Sequence, residues 1–142
     1  MSIKIGDKMP IMKLFYNKFK LFSFLFLLGG ATYSAIELLW RGRTHYSMCI
    51  CGGLCLCMIY QTGTKLKGVN ILKLALICSL FITLIELIFG LIFNMLLKMS
   101  VWDYSMRNMN FYGQICPIFS FCWFLLSIPT IYICRFIKKC LD

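Results

Sequence analysis

LALICSLFITLIELIFGLIFNMLL, residues 74–97, is the stretch that decides the fold of this chain. It carries a single formally charged side chain, Glu86, among long aliphatic and aromatic side chains. As a helix rising ~1.5 Å per residue it reaches roughly 36 Å, more than the ~30 Å of a bilayer's hydrocarbon core. The rest of the chain agrees. Its 142 residues are 61% hydrophobic and 14% charged, with a mean hydropathy of +0.82, whereas soluble domains carry ~25% charged residues. Such a chain has too few polar groups to cover its own surface. Disorder, a secreted disulfide scaffold and a free-standing nucleic-acid binder are excluded on that ground, and the expected solvent is lipid.

Three further apolar stretches complete a reading with spans at about 21–40, 45–62, 72–97 and 114–135 within a transmembrane domain of residues 21–137. The second is short and holds Gly52-Gly53, so a re-entrant loop competes with a helix there. Charge placement decides the count. Lys and Arg of short loops stay on the cytoplasmic side. Four spans put eleven of the fifteen basic residues on one side: Lys4, Lys8, Lys13, Lys18, Lys20, Lys65, Lys67, Lys73, Arg135, Lys138 and Lys139. Arg41, Arg43, Lys98 and Arg107 remain for the other, whereas three spans would split the clusters. The expected fold is therefore an all-α integral membrane four-helix bundle with both termini cytoplasmic. The net charge of +10 then reflects topology, and no nucleic-acid partner is implied.

Residues 1–20 read as a basic amphipathic interfacial segment, with Lys13, Asn17 and Lys20 opposite Met12, Phe15, Phe19 and Phe22; 138–142 form a short tail. Gly29–Ala31 resembles a signal-peptide cleavage site, but the apolar run continues past it to Trp40, so span one is expected to remain. Most of the nine cysteines lie in or beside apolar runs, where thiols behave as small hydrophobes. Of Cys49, Cys51, Cys55 and Cys57, only Cys51 and Cys55 share a helix face, too few for a metal site. His45 is the only histidine, and Gly63-Thr64-Lys65 is a fragment of a phosphate loop. No cofactor, metal centre or enzymatic activity is expected, and any ATPase must be another polypeptide.

Polar residues recur at helical spacing on three spans: Ser23, Gly30, Ser34, Glu37 and Arg41; Ser79, Thr83, Glu86, Gly90 and Asn94; Gly113, Cys116, Ser120, Trp123 and Ser127. The small and hydroxyl members read as packing seams. The acids ask for more. A carboxylate deep in a bilayer costs roughly 2.5–3.5 kcal/mol on the mildest scale, so it must be paired, protonated or wet. Glu37 precedes Arg41 by four residues, the favourable order for a helical ion pair. Glu86 has no basic neighbour one turn away, which points to a functional site or to pairing between helices. Glu37 and Glu86 are the candidate intramembrane site.

Ile36-Glu37-Leu38 followed by His45-Tyr46-Ser47-Met48 has a counterpart in Ile85-Glu86-Leu87 followed by Asp103-Tyr104-Ser105-Met106. A duplication would make two parallel helical hairpins about an axis along the membrane normal; coincidence in so apolar a chain is the other reading. Trp40-Arg41-Gly42-Arg43-Thr44-His45-Tyr46-Ser47-Met48 with Gly52-Gly53, then Glu86-x-x-x-Gly90, Val101-Trp102-Asp103-Tyr104-Ser105, Gly113-Gln114-Ile115 and Trp123-Phe124, resemble the bacterial "putative ABC-transporter type IV" family over about residues 20–130. The acid-glycine and W-D-Y-S portions are similar to vertebrate transmembrane protein 229 as well. The resemblance implies a small permease-like protein of a bacterial cytoplasmic membrane, working as a homo-oligomer or with a separate ATPase subunit; the alternative is a structural or regulatory membrane protein without cargo. Trp40, Arg41, Arg43, His45, Trp102, Asp103 and Tyr104 form the candidate outer-loop site. There Asp103 is expected to pair with Arg41 or Arg43 and to lie near His45, closing a vestibule above the two glutamates.

Overall fold

The computed structural model describes residues 8–141, with side chains from residue 17 onward. Residues 1–7, Asp142 and the side chains of Met12, Lys13 and Phe15 lie outside the described residues. Four helices follow one another: α1 (Lys8–Arg41), α2 (Tyr46–Lys65), α3 (Ile71–Phe89), which runs on as a π-helical segment (Gly90–Leu96), and α4 (Pro117–Leu141). All four are long and apolar enough to cross a bilayer, at Asn17–Arg41, Tyr46–Lys65, Ile71–Leu96 and Pro117–Leu141. The all-helical, four-span expectation is met. No break marks residue 20 or Gly29–Ala31, since α1 is one continuous helix.

Competition from a re-entrant loop ends at α2. Its mean hydropathy, 1.2, is the lowest of the four, yet its span is 50% buried against 17% for α4. The two facts have one cause. α2 packs against α1, α3 and α4, so its residues answer to neighbouring helices rather than to lipid. Gly52 and Gly53 sit where α1 crosses closest. A methyl group at Gly52 would meet Tyr33 Cβ and stand 2.6 Å from the Gly29 carbonyl oxygen; one at Gly53 would stand 2.7 Å from the Phe26 carbonyl oxygen. Backbones approach this closely only where side chains are absent. Cys51 and Cys55 lie in the core on the same helix, as their shared face implies.

α1 packs chiefly on α2, and α3 chiefly on α4. The polar seams of spans three and four meet there: Thr83 Oγ1 donates to Ser120 Oγ at 2.9 Å. Leucines, isoleucines and phenylalanines such as Leu27, Leu39, Leu80, Phe121 and Phe136 remain exposed around the bundle, the apolar girdle that lipid requires.

The fourth span starts later than position 114. Pro117 begins α4, where its missing N–H and fixed φ suit a first helical turn. Gly113 and Cys116, read from spacing as part of that helix, belong instead to the connection 97–116. Gly113 has φ +68°, and an added methyl would stand 3.2 Å from Asp103 Oδ1, so both backbone and space demand glycine.

Candidate functional site

On α1 a line of residues one turn apart, Tyr33, Glu37 and Arg41, faces the second hairpin. Glu86 enters from α3 and Trp123 from α4. Tyr33 OH donates to Glu86 Oε1 at 2.7 Å, and Trp123 Nε1 donates to Glu86 Oε2 at 2.9 Å. The two rings stack with centroids 5.3 Å apart. Glu86 is only 4% exposed, so one carboxyl group joins three helices through neutral donors. A carboxylate accepts at both oxygens, and a protonated carboxyl still offers acceptor capacity plus a donor. Either protonation state of the carboxyl can therefore be hydrogen-bonded at this node.

Glu37 is also buried and makes an ion pair with Arg41. Arg41 Nη1 donates in addition to the Val101 carbonyl oxygen at 3.2 Å, tying the end of α1 to the connection 97–116. Two hollows lie between α1 and α4. One, of about 330 Å³, is bounded by Leu28, Thr32, Ser127 and Thr130; the other, of about 350 Å³, by Glu37, Trp40, Arg41, Tyr104 and Phe119. Both are lined by Tyr33, Ile36, Trp123 and Leu126, so the ring donors to Glu86 form part of each wall.

The outer-loop residues divide between places: Trp40, Arg41 and Tyr104 border the second hollow, Arg43 and His45 border another, and Trp102 and Asp103 bond within the connection 97–116. Trp40 is 70% exposed. Trp102 is buried and donates to the Gln114 carbonyl oxygen at 2.9 Å. Tyr104 stacks on Phe119 at 4.6 Å. Arg43 borders a separate small hollow of about 140 Å³ with His45 and Ser100.

The expected link from Asp103 to Arg41 or Arg43 is corrected: among the described residues no ion pair joins them. Arg41 is held by Glu37, while Asp103 Oδ1 accepts from the Ser105 amide at 2.8 Å. Nor does His45 pair with Asp103. Its Nδ1 accepts from the Ser47 amide at 3.3 Å and lies 2.8 Å from Ser47 Oγ, capping α2. The physical reason is local. An acceptor two residues before an amide closes a turn at far smaller entropic cost than a bridge between loops.

In both sequence repeats the residue before Tyr-Ser-Met thus accepts from the serine amide. After His45 the turn opens directly into α2, whereas after Asp103 a longer connection intervenes before Pro117.

That amide holds the Asp103 carboxyl below its usual range. A depressed folded value means that the turn is favoured above the unfolded carboxylate's ~3.9 and loses that support as pH falls through the folded value. The Ser105 amide proton should therefore titrate in NMR spectra with a midpoint below about 3.9. Asp103→Asn should leave the turn formed and abolish the titration. A midpoint at or above the ordinary value would contradict the bond.

Sequence spacing missed Tyr33, Gln114 and the structural role of Asn94. Gln114 is buried beside Gly90, where a methyl group would collide with it. Its Oε1 accepts from Asn94 Nδ2 at 2.8 Å, and Asn94 Oδ1 accepts from the Val101 amide at 2.7 Å. Asn94 lies in the π-helical segment, whose wider turn accompanies this contact with the connection. The one available signal for Tyr33 was its place four residues before Glu37 and eight before Arg41.

No curated protein and no solved structure matches the chain. A family model described as "Putative ABC-transporter type IV" matches residues 17–141, taking in all four spans, the connection 97–116 and the Glu86 node. On that match the chain belongs to this family.

Proposed function

We propose that this protein is a permease-like component of a transport assembly, with Glu86 as its protonatable or cation-attracting group. The observation that carries the reading is a carboxyl group buried inside the spans and held, among the described residues, by the neutral donors of Tyr33 and Trp123. Intramembrane acids are costly and are retained chiefly where protons, ions or substrates move. The hollows between α1 and α4 are the approach, and Trp40, Arg41 and Tyr104 border the end away from the termini. Four spans make a slim conduit, so a second copy or a partner subunit completes it. Lys-rich short loops support cytoplasmic termini, and the family resemblance is what suggests a bacterial membrane. Energy from ATP would come from a separate ATPase subunit, because Gly63-Thr64-Lys65 is the last turn of α2 rather than a phosphate loop.

The test is reconstitution into vesicles containing a trapped pH-sensitive dye, with proton movement followed during an imposed potassium or sodium gradient. Transport through Glu86 predicts a protein-dependent signal lost in Glu86→Gln. A signal that survives the substitution overturns the assignment of Glu86.

One observation favours a second reading, a structural or regulatory protein without cargo. Both Glu86 oxygens are taken by donors from two other helices, which is what a helix-registering group requires. On this reading no solute moves through either form, and Glu86→Gln changes assembly or abundance alone.

A further inference from the structure

At the end of the bundle that carries the termini, Lys67, Arg135, Lys138 and Lys139 line one hollow of about 410 Å³. It lies where the turn between α2 and α3 meets the last two turns of α4. Arg135 is fixed in place. Its Nε donates to the Gly63 carbonyl oxygen at 2.9 Å and its Nη2 to that of Leu66 at 3.4 Å, closing the open end of α2. Lys138 makes contacts of its own, yet Lys67, Arg135 and Lys139 alone bring three cations to one cavity.

The described acids are elsewhere. Glu37 is in the last turns of α1, Glu86 is near the end of α3 and Asp103 is in the connection 97–116, all toward the opposite end of the bundle. Charges of one sign around a shared hollow repel one another, and Glu37, Glu86 and Asp103 make no ion pair with Lys67, Arg135 or Lys139. An anion that enters the hollow relieves that repulsion.

We infer that this hollow binds the phosphate headgroup of an anionic membrane lipid. A lipid is favoured over a soluble anion because Arg135, Lys138 and Lys139 follow the apolar run of α4 and occupy its last turns, the end of a span where basic side chains reach toward headgroups. Basic pockets between spans are suited to headgroups of high negative charge, so a diphosphatidyl lipid should bind more tightly than a monophosphate one. The guanidinium, tethered to α2, offers a directed donor, while the flexible lysines supply charge. This site is independent of any transport through Glu86.

The experiment is native mass spectrometry of the full chain in neutral detergent with added diphosphatidylglycerol, phosphatidylglycerol or phosphatidylcholine. Retention is expected in that order. Lys67→Gln with Lys139→Gln should weaken diphosphatidylglycerol binding about thirtyfold, from the usual worth of two surface cations. Lys65→Gln with Lys73→Gln removes the same charge from the same end but outside the hollow, and should leave binding nearly unchanged. Lys67→Arg with Lys139→Arg should retain it, which separates lost charge from lost fold. Equal weakening by both glutamine pairs would overturn the site in favour of diffuse attraction. Full competition by inorganic pyrophosphate would overturn the lipid in favour of a soluble phosphate. Preferential capture of a polyglutamate peptide would overturn it in favour of an acidic protein partner.

Discussion

Glu86→Leu is expected to destabilise the bundle by about 2–4 kcal/mol, because it leaves one buried and one half-buried donor without an acceptor, a buried one costing ~1–3 kcal/mol. The donors are Tyr33 OH and Trp123 Nε1, from α1 and α4, and both lose the acceptor that Glu86 supplies. Glu86→Gln keeps one carbonyl oxygen in place of two, so about half of that loss is expected. Unfolding titrations in mixed micelles measure the difference, and Trp123 fluorescence reports the freed indole. A double-mutant cycle sharpens the result: in a Tyr33→Phe background one donor is already gone, so Glu86→Leu should cost less. A leucine variant as stable as the parent would mean that the carboxyl does not hold these helices. Together with the vesicle measurement, this separates a group that only pins helices from one that also handles protons.

The second large effect is expected at the α1–α2 crossing. Gly52→Ala should destabilise by about 1–3 kcal/mol and Gly52→Leu by more, since added atoms in a packed contact force backbones apart. The sign is informative. Helix propensity alone favours alanine over glycine by ~1 kcal/mol, so a net loss must come from the contact with Tyr33 and the Gly29 carbonyl. Gly63→Ala is the matched control on the same helix. Its nearest contact is the Cγ2 methyl of Ile131 at 3.3 Å, and the nearest backbone atom of a neighbouring helix stands 3.9 Å away. That variant should be close to neutral or slightly stabilising. Because Tyr33 is the group displaced at Gly52, the Gly52 variants should also perturb Trp123 fluorescence through the Glu86 node.

The limits of sequence reading follow from which interactions are local. The four spans, their order and the Glu37–Arg41 pair depend on length, apolarity and spacing within one helix, so residues 74–97 and 37–41 carried that information unaided. The seam between α3 and α4 was legible too, because Thr83 and Glu86 repeat at helical spacing, as do Ser120 and Trp123. The outer loops were not. Asp103 looked like a partner for an arginine two loops away, and its own turn claimed it first. Gln114 looked like the start of a helix, and Gly90 and Asn94 drew it into the connection instead.

By itself, then, the amino-acid order determined that the chain lies in lipid, crosses it four times and buries two acids, since these follow from the cost of placing polar groups in hydrocarbon. Only the packed structure decided that Gly52 is a crossing point and not a break, and that Tyr33 and Trp123 are the partners of Glu86. Those outcomes depend on the distance between helices far apart in the chain, and spacing along one helix does not encode which face of another it will meet.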